Sequence, residues 1–291
     1  MFKGIYVATA TPFFPDGRFD GDTYTRHVER LVAAGVHGLI PAGTTGEGPT
    51  LTAAERRAQF EICVKAANGA VKVVAGTGTY NTAASVETTR MAAEVGVDGV
   101  LAVVPYYNKP MPHGLIKHFS AIADVGLPVM IYNIPSRCVV NMAPETIAEA
   151  AKHPKIVAVK EASGGVAATA EIKRLAPQLS VLAGDDALFL PCLSIGGDGV
   201  VSVAANIDPL RMVALWDAWQ AGRAAQAQAL HLELWPLFQA LFVETNPIPV
   251  KAALQLLGFG GRTMRLPMTD AADNTVGRLK AAMIRLDLLG N

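Results

Sequence analysis

Runs of Val, Ile, Leu and Ala, four to seven residues long and closed by glycine or a polar turn, recur over the first two thirds of the chain. They occupy 4–9, 36–42, 71–77, 98–104, 128–133, 156–160, 181–184 and 199–203. An apolar run of this length without polar alternation fits a strand covered on both faces, as in a parallel sheet. Between the runs the spacing becomes helical. The stretch from Thr52 opens with Thr52-x-x-Glu55, a capping box that satisfies free amides of a first turn. Phe60, Cys63, Val64 and Ala67 then fall at i, i+3, i+4 and i+7, one apolar stripe. Pro144 suits a first helical turn, and Gly35, Gly96 and Gly126 stand where a helix end needs positive φ.

Eight strand–helix units predict an α/β fold of the (β/α)8 TIM-barrel type. The alternative, a doubly wound sheet, would want a glycine-rich nucleotide fingerprint after the first strand, where Thr9-Ala10-Thr11-Pro12 stands instead. Beyond Val203 the pattern is helical only, marked by Trp216, Trp219, Leu230, Leu234, Trp235, Phe238 and Leu241. The predicted division is a barrel catalytic domain over 1–207 and a C-terminal helical extension over 208–291.

Composition narrows the classes. The chain has 291 residues, with 25 basic and 25 acidic side chains, and 51% of it is hydrophobic. Disorder needs the opposite balance, and a nucleic-acid binder usually carries a basic excess. Only 17% of residues are charged, where ~25% is usual, a hint of subunit contacts. Cys63, Cys138 and Cys192 are odd in number and far apart, which reads as reduced thiols rather than a disulfide framework or zinc site. The first ten residues imitate a secretory signal, but the apolar stretch is short and Thr11-Pro12 follows, so a buried first strand is expected. No apolar run approaches the ~18 residues of a membrane span, and the predicted location is the cytoplasm.

In a barrel of this kind the reactive groups belong at the C-terminal strand ends. The second strand leads into Gly43-Thr44-Thr45-Gly46-Glu47-Gly48, the fourth into Pro105-Tyr106-Tyr107-Asn108, and the fifth into Tyr132-Asn133-Ile134-Pro135-Ser136-Arg137. The sixth ends on Lys160. Alternation puts Lys160 on one face with Ala158 and Ile156 without saying which face is inside. Pointing inward, its amine is desolvated and free to attack carbonyls; pointing outward, it snorkels to solvent. Tyr132, on the neighbouring strand, either shuttles protons for imine chemistry or fills the barrel top with its hydroxyl satisfied by backbone. Thr44 and Thr45 offer hydroxyls and amides to a carboxylate, in a loop that is also ordinary turn composition. Gly76-Thr77-Gly78 lacks a third glycine, Gly196-Gly197-Asp198-Gly199 enters the eighth strand at the wrong end for a phosphate site, and His113 and His118 are off register for a helical metal pair. Asp185-Asp186 reads as helix-cap and turn residues.

With Thr11-Pro12-Phe13, Gly43-Thr44-Thr45-Gly46-Glu47, Pro105-Tyr106-Tyr107-Asn108, Lys160-Glu161-Ala162, Gly184-Asp185-Asp186 and Asn246-Pro247-Ile248-Pro249-Val250-Lys251, the chain resembles the pyruvate-dependent class I aldolase and lyase family over essentially its whole length. The resemblance implies that Lys160 forms an imine with pyruvate and Tyr132 shuttles protons, while Thr44 links Tyr132 to Tyr107 of a neighbouring subunit. It makes Thr45, Arg137 and Val201 the substrate-binding residues, with Arg137 taking the carboxylate of a second substrate, aspartate semialdehyde. It implies no cofactor and no metal, a product leading to diaminopimelate and lysine, and a homotetramer built from dimers. The other readings are an aldolase or dehydratase of the same family acting on another 2-keto acid, and a non-catalytic keto-acid-binding relative. Two features depart from the pattern. Cys138-Val139-Val140 follows Arg137 where Thr-Gly is usual, and the positions of the lysine-inhibition pocket hold Gly48, Arg56, Tyr80 and Ala84, without a carboxylate for lysine's amine. Weak or absent lysine feedback is expected.

Overall fold

Eight parallel strands hydrogen-bond in chain order and close into a barrel, with β1 pairing both β2 and β8. They are β1 Gly4–Ala8, β2 Gly38–Ile40, β3 Lys72–Gly76, β4 Gly99–Val103, β5 Val129–Asn133, β6 Ile156–Glu161, β7 Ser180–Ala183 and β8 Gly199–Ser202. The computed structural model describes residues 2–290. Each predicted run matches one of these strands, although β6 extends one residue past its run to Glu161 and β7 begins one residue before its run at Ser180; β1, β5, β7 and β8 are buried at every position. Side chains on one strand face fill the barrel and those on the other meet the helices, so neither face can be polar.

The helices are α1 Gly21–Ala33, α2 Ala53–Ala67, α3 Thr82–Val95, α4 Pro112–Ala123, the single turn α5 Pro135–Cys138, α6 Pro144–Ala150, α7 Ala167–Leu175 and α8 Phe189–Ser194. The capping box at Thr52 is formed, with Glu55 N donating to the Thr52 hydroxyl and Thr52 N to the Glu55 carboxylate. Phe60, Cys63 and Ala67 are buried and Val64 packs half-buried beside them. Gly35, Gly96 and Gly126 take φ of 81°, 87° and 107°. At the opposite end from the reactive loops, the Asp198 carboxylate accepts from Lys173 Nζ at 2.9 Å and Val181 N at 3.0 Å, tying β7 to β8. The glycine run around it therefore serves the closed end of the barrel.

Four more helices follow: α9 Pro209–Gln220, α10 Ala224–Ala240, α11 Ile248–Leu256 and α12 Asp273–Arg285. Helix α9 packs on β1, α10 on α9, and α12 on both α10 and α11. Of the apolar marks in this region, Leu234, Phe238 and Leu241 are buried, whereas Trp235 stands 42% exposed. Helical spacing alone does not separate the edge of an apolar stripe from its centre. Among the described residues, no helix is long and apolar enough to cross a membrane.

Candidate active site

Lys160 is the penultimate residue of β6, which runs one residue further than expected to Glu161; it points into the barrel mouth and is only 5% exposed. Closure of the barrel resolves the ambiguity of alternation in favour of the interior. Across the β5–β6 ladder its direct partner is Tyr132, and Lys160 Nζ lies 4.0 Å from the centroid of the Tyr132 ring. Burial pulls the lysine pKa down to about 7, with the Asp186 carboxylate opposing and the Arg137 guanidinium assisting. The same burial pushes the Tyr132 phenol up to about 12, offset in part by Arg137 and by a hydrogen bond with Thr44. The phenol is thus held protonated beside an amine that is free near neutrality. Gly184, on the next strand end, is required here. A Cβ at that position would lie 3.2 Å from Lys160 Cε and 2.6 Å from Ala162 Cβ.

The threonine loop rests on buried charge. Glu47 takes φ of 53° and pairs with Lys251 Nζ at 2.5 Å, both side chains being 2% exposed. The second Glu47 oxygen accepts from Arg265 N at 3.2 Å. The Thr11 hydroxyl donates to Gly46 O at 2.7 Å and accepts from Gln59 Nε2 at 3.0 Å. The loop is therefore clamped from both sides, which aims Thr44 at Tyr132 and Thr45 at Asn246. Asn246 Nδ2 donates to Thr45 Oγ1 at 3.0 Å, and Arg137 Nη2 donates to Asn246 O at 2.8 Å. Arg137 sits on α5, whose end residue Val139 is exposed at φ 67°. A β-branched side chain is disfavoured in that conformation, which accounts for glycine being usual there.

Two depressions adjoin the site, the first lined in part by Thr44 and Tyr132 and the second by Arg137 and Asn246. A cavity of about 90 Å³ is walled by Thr44, Gly48, Arg56, Tyr106 and Tyr132. A more open crevice of about 530 Å³ is walled by Ser136, Arg137, Phe242, Glu244 and Asn246. Arg56 reaches across the first wall, donating to Gly76 O at 2.8 Å and Gly48 O at 2.7 Å. The fold thus brings together Lys160, Tyr132 and Thr44, and gathers Thr45 and Arg137 through Asn246. Val201 is buried within β8. Tyr107 stands apart at 88% exposure, on a turn with φ 71°.

Asp186 has a role that cap-and-turn chemistry did not suggest. Asp185 does cap a short turn, accepting from Ala187 N, but Asp186 is buried. Its carboxylate accepts from Ser202 Oγ at 2.5 Å and from Val203 N and Ala204 N at 2.9 Å each. It pins the end of β8, and burial raises its pKa to about 6. Glu47, Gly184, Asn246 and Lys251 likewise lie in motifs visible in the sequence, without a local spacing that assigns them a task. Among the described residues, no group of three or more His, Cys, Asp or Glu side chains is arranged to hold a metal.

Residues 1–285 match the Dihydrodipicolinate synthetase family. The 4-hydroxy-tetrahydrodipicolinate synthase of Methanospirillum hungatei is 47% identical over 99% of this chain and 100% of its own length. The enzyme of the same name from Methanoculleus marisnigri is 45% identical over 98% of this chain and 99% of its own. A crystal structure of DHDPS from Cyanidioschyzon merolae with lysine bound superposes with a TM-score of 0.96 at 42% identity, covering 99% of each chain. On sequence over nearly its full length, and on the closed barrel that carries the lysine, this chain belongs to the dihydrodipicolinate synthetase family.

Proposed function

We propose that this barrel condenses pyruvate with aspartate semialdehyde to give 4-hydroxy-tetrahydrodipicolinate, on the route to diaminopimelate and lysine, through an imine on Lys160. The observation that carries the reading is an amine buried at the barrel mouth with its Nζ 4.0 Å from the centroid of the Tyr132 ring, a burial that lowers the lysine pKa. Neutral Lys160 attacks the ketone carbon of pyruvate, and the carbinolamine loses its hydroxyl as water once a proton is supplied. Tyr132 is the group in position to supply it, because burial keeps its proton on until a stronger base forms beside it. Thr44 passes that proton along. The imine nitrogen then accepts the electron pair released when a proton leaves the methyl group, and the enamine carbon attacks the aldehyde, whose oxygen takes up a proton and becomes the hydroxyl. The amine of aspartate semialdehyde then adds to the imine carbon and closes the ring, and the Lys160 nitrogen leaves with a proton as the free amine. The lysine nitrogen is the electron sink in this scheme, so it calls for neither metal nor cofactor.

The two carboxylates fit two donors. In this reading the Thr45 hydroxyl, in the loop after β2, takes the carboxylate of pyruvate. Arg137, in the open crevice, offers a planar fork for the carboxylate of the second substrate. Val201, buried within β8, is the remaining substrate-binding residue of this reading. The exposure of Tyr107 supports its use in a neighbouring subunit of an oligomer. Reduction with borohydride in the presence of pyruvate tests the reading: peptide mass measurement should find the reduced adduct on Lys160, and Lys160→Ala should form none. An adduct elsewhere, or no adduct with the native protein, overturns it.

A further inference from the structure

The geometry points to Asn246 as the positioning residue that sets the keto-acid side of the site, by holding Thr45 Oγ1 as an acceptor so that the threonine proton is left for the substrate carboxylate. Asn246 belongs to the segment after α10, far from the threonine loop in sequence. It is more than nine-tenths buried, and among the described residues its amide makes one side-chain bond, Nδ2 to Thr45 Oγ1 at 3.0 Å, while its Oδ1 is buried without a partner. A position needed only for packing is better filled by an apolar side chain than by an amide with one polar atom unpaired. The amide is therefore held here for what its donor does.

A hydroxyl has one proton and two acceptor lone pairs. An amide NH2 can only donate, so the contact engages a lone pair of Thr45 and forbids the hydroxyl from turning its proton toward residue 246. The proton remains available for an incoming anion, restricted before the substrate arrives to the two positions that face away from residue 246. The main-chain carbonyl of the same residue receives Arg137 Nη2 at 2.8 Å. One residue thus keeps both carboxylate-binding groups in a common frame, its side chain serving Thr45 and its backbone serving Arg137. This division predicts a selective defect, because substitution removes the first bond and leaves the second.

The inference rests on the keto-acid reading of Thr45, and steady-state kinetics on Asn246→Ala, Asn246→Asp, Thr45→Val and the Asn246→Ala/Thr45→Val pair test it. Loss of one neutral hydrogen bond corresponds to about three- to tenfold in affinity. Asn246→Ala should raise the KM for pyruvate by that factor, leave the KM for aspartate semialdehyde within about twofold, and add nothing to Thr45→Val in the pair. Asn246→Asp keeps the size but can only accept, so it captures the threonine proton and should be at least as damaging as Ala. Thermal melts of each variant separate these effects from misfolding, which would move both KM values and kcat together. A native KM for pyruvate in Asn246→Ala, multiplicative effects in the pair, or a native phenotype for Asp overturns the role of Asn246. Borohydride trapping on the native protein separates this from failure of the underlying reading: a native adduct with an unaltered variant sinks Asn246 alone, whereas no native adduct sinks the keto-acid site.

Discussion

A buried lysine is catalytic only in its neutral form, and this sets a pH signature. Desolvation lowers the Lys160 pKa from its ordinary value to about 7. The amine loses its proton as pH rises, so the rate of adduct formation at limiting pyruvate should climb about tenfold per unit below pH 7 and level off above it. A rate still climbing toward pH 10 would mean that the lysine titrates normally. Arg56 carries a second residue-scale consequence. Its guanidinium bridges the carbonyls of Gly48 and Gly76 in the cavity wall, and the two other positions that the family resemblance assigns to a lysine pocket hold Tyr80 and Ala84, neither a carboxylate. A fixed cation there opposes the ammonium of lysine, and millimolar lysine should leave the activity unchanged in a dose–response assay. Half-inhibition in the micromolar range would reverse that conclusion.

Elements are held in register here by buried charge as much as by apolar contact. The Glu47–Lys251 pair joins the threonine loop after β2 to α11, and both side chains are shielded from water. Removing one partner strands the other charge, so Lys251→Met should cost about 3–5 kcal/mol in denaturant unfolding. Replacing both, as Glu47→Leu with Lys251→Met, should recover most of that stability, because the desolvation of both ions is removed as well. The activity should not return with it, since the loop carrying Thr44 and Thr45 loses its anchor. A loss below ~1 kcal/mol for the single variant would place this pair with ordinary surface ion pairs.

On the scale of the whole molecule, the exposed Tyr107 separates a self-contained barrel from an assembly. In the proposed two-fold pair each subunit would lend its Tyr107 to the other's site, since such an interface is reciprocal. Lys160→Ala and Tyr107→Phe should each be nearly inactive alone, yet co-expressed together they should regain activity. In such a hybrid, the subunit with intact Lys160 receives an intact Tyr107 from its partner. If Tyr107 serves its own subunit, no hybrid contains a complete site and activity stays at the level of the single variants. The low charge content of the chain, 17%, gains a definite meaning from a positive result.

The sequence by itself determined the number, order and type of the barrel elements, because apolar run length, capping boxes and glycine ends are local signals. The eight runs, the box at Thr52 and the turn at Pro144 all mark features of the final fold. It also determined which residues carry reactive groups at the strand ends. Only the tertiary structure decided that Lys160 faces inward, since alternation relates neighbours along a strand and closure of the barrel chooses the inside. Only the packing of the C-terminal region against the loop after β2 brings Glu47 to Lys251 across 204 residues, and Asn246 to Thr45 across 201. Such pairs leave no periodic trace. They arise because a buried polar group must find its partner wherever the fold places one.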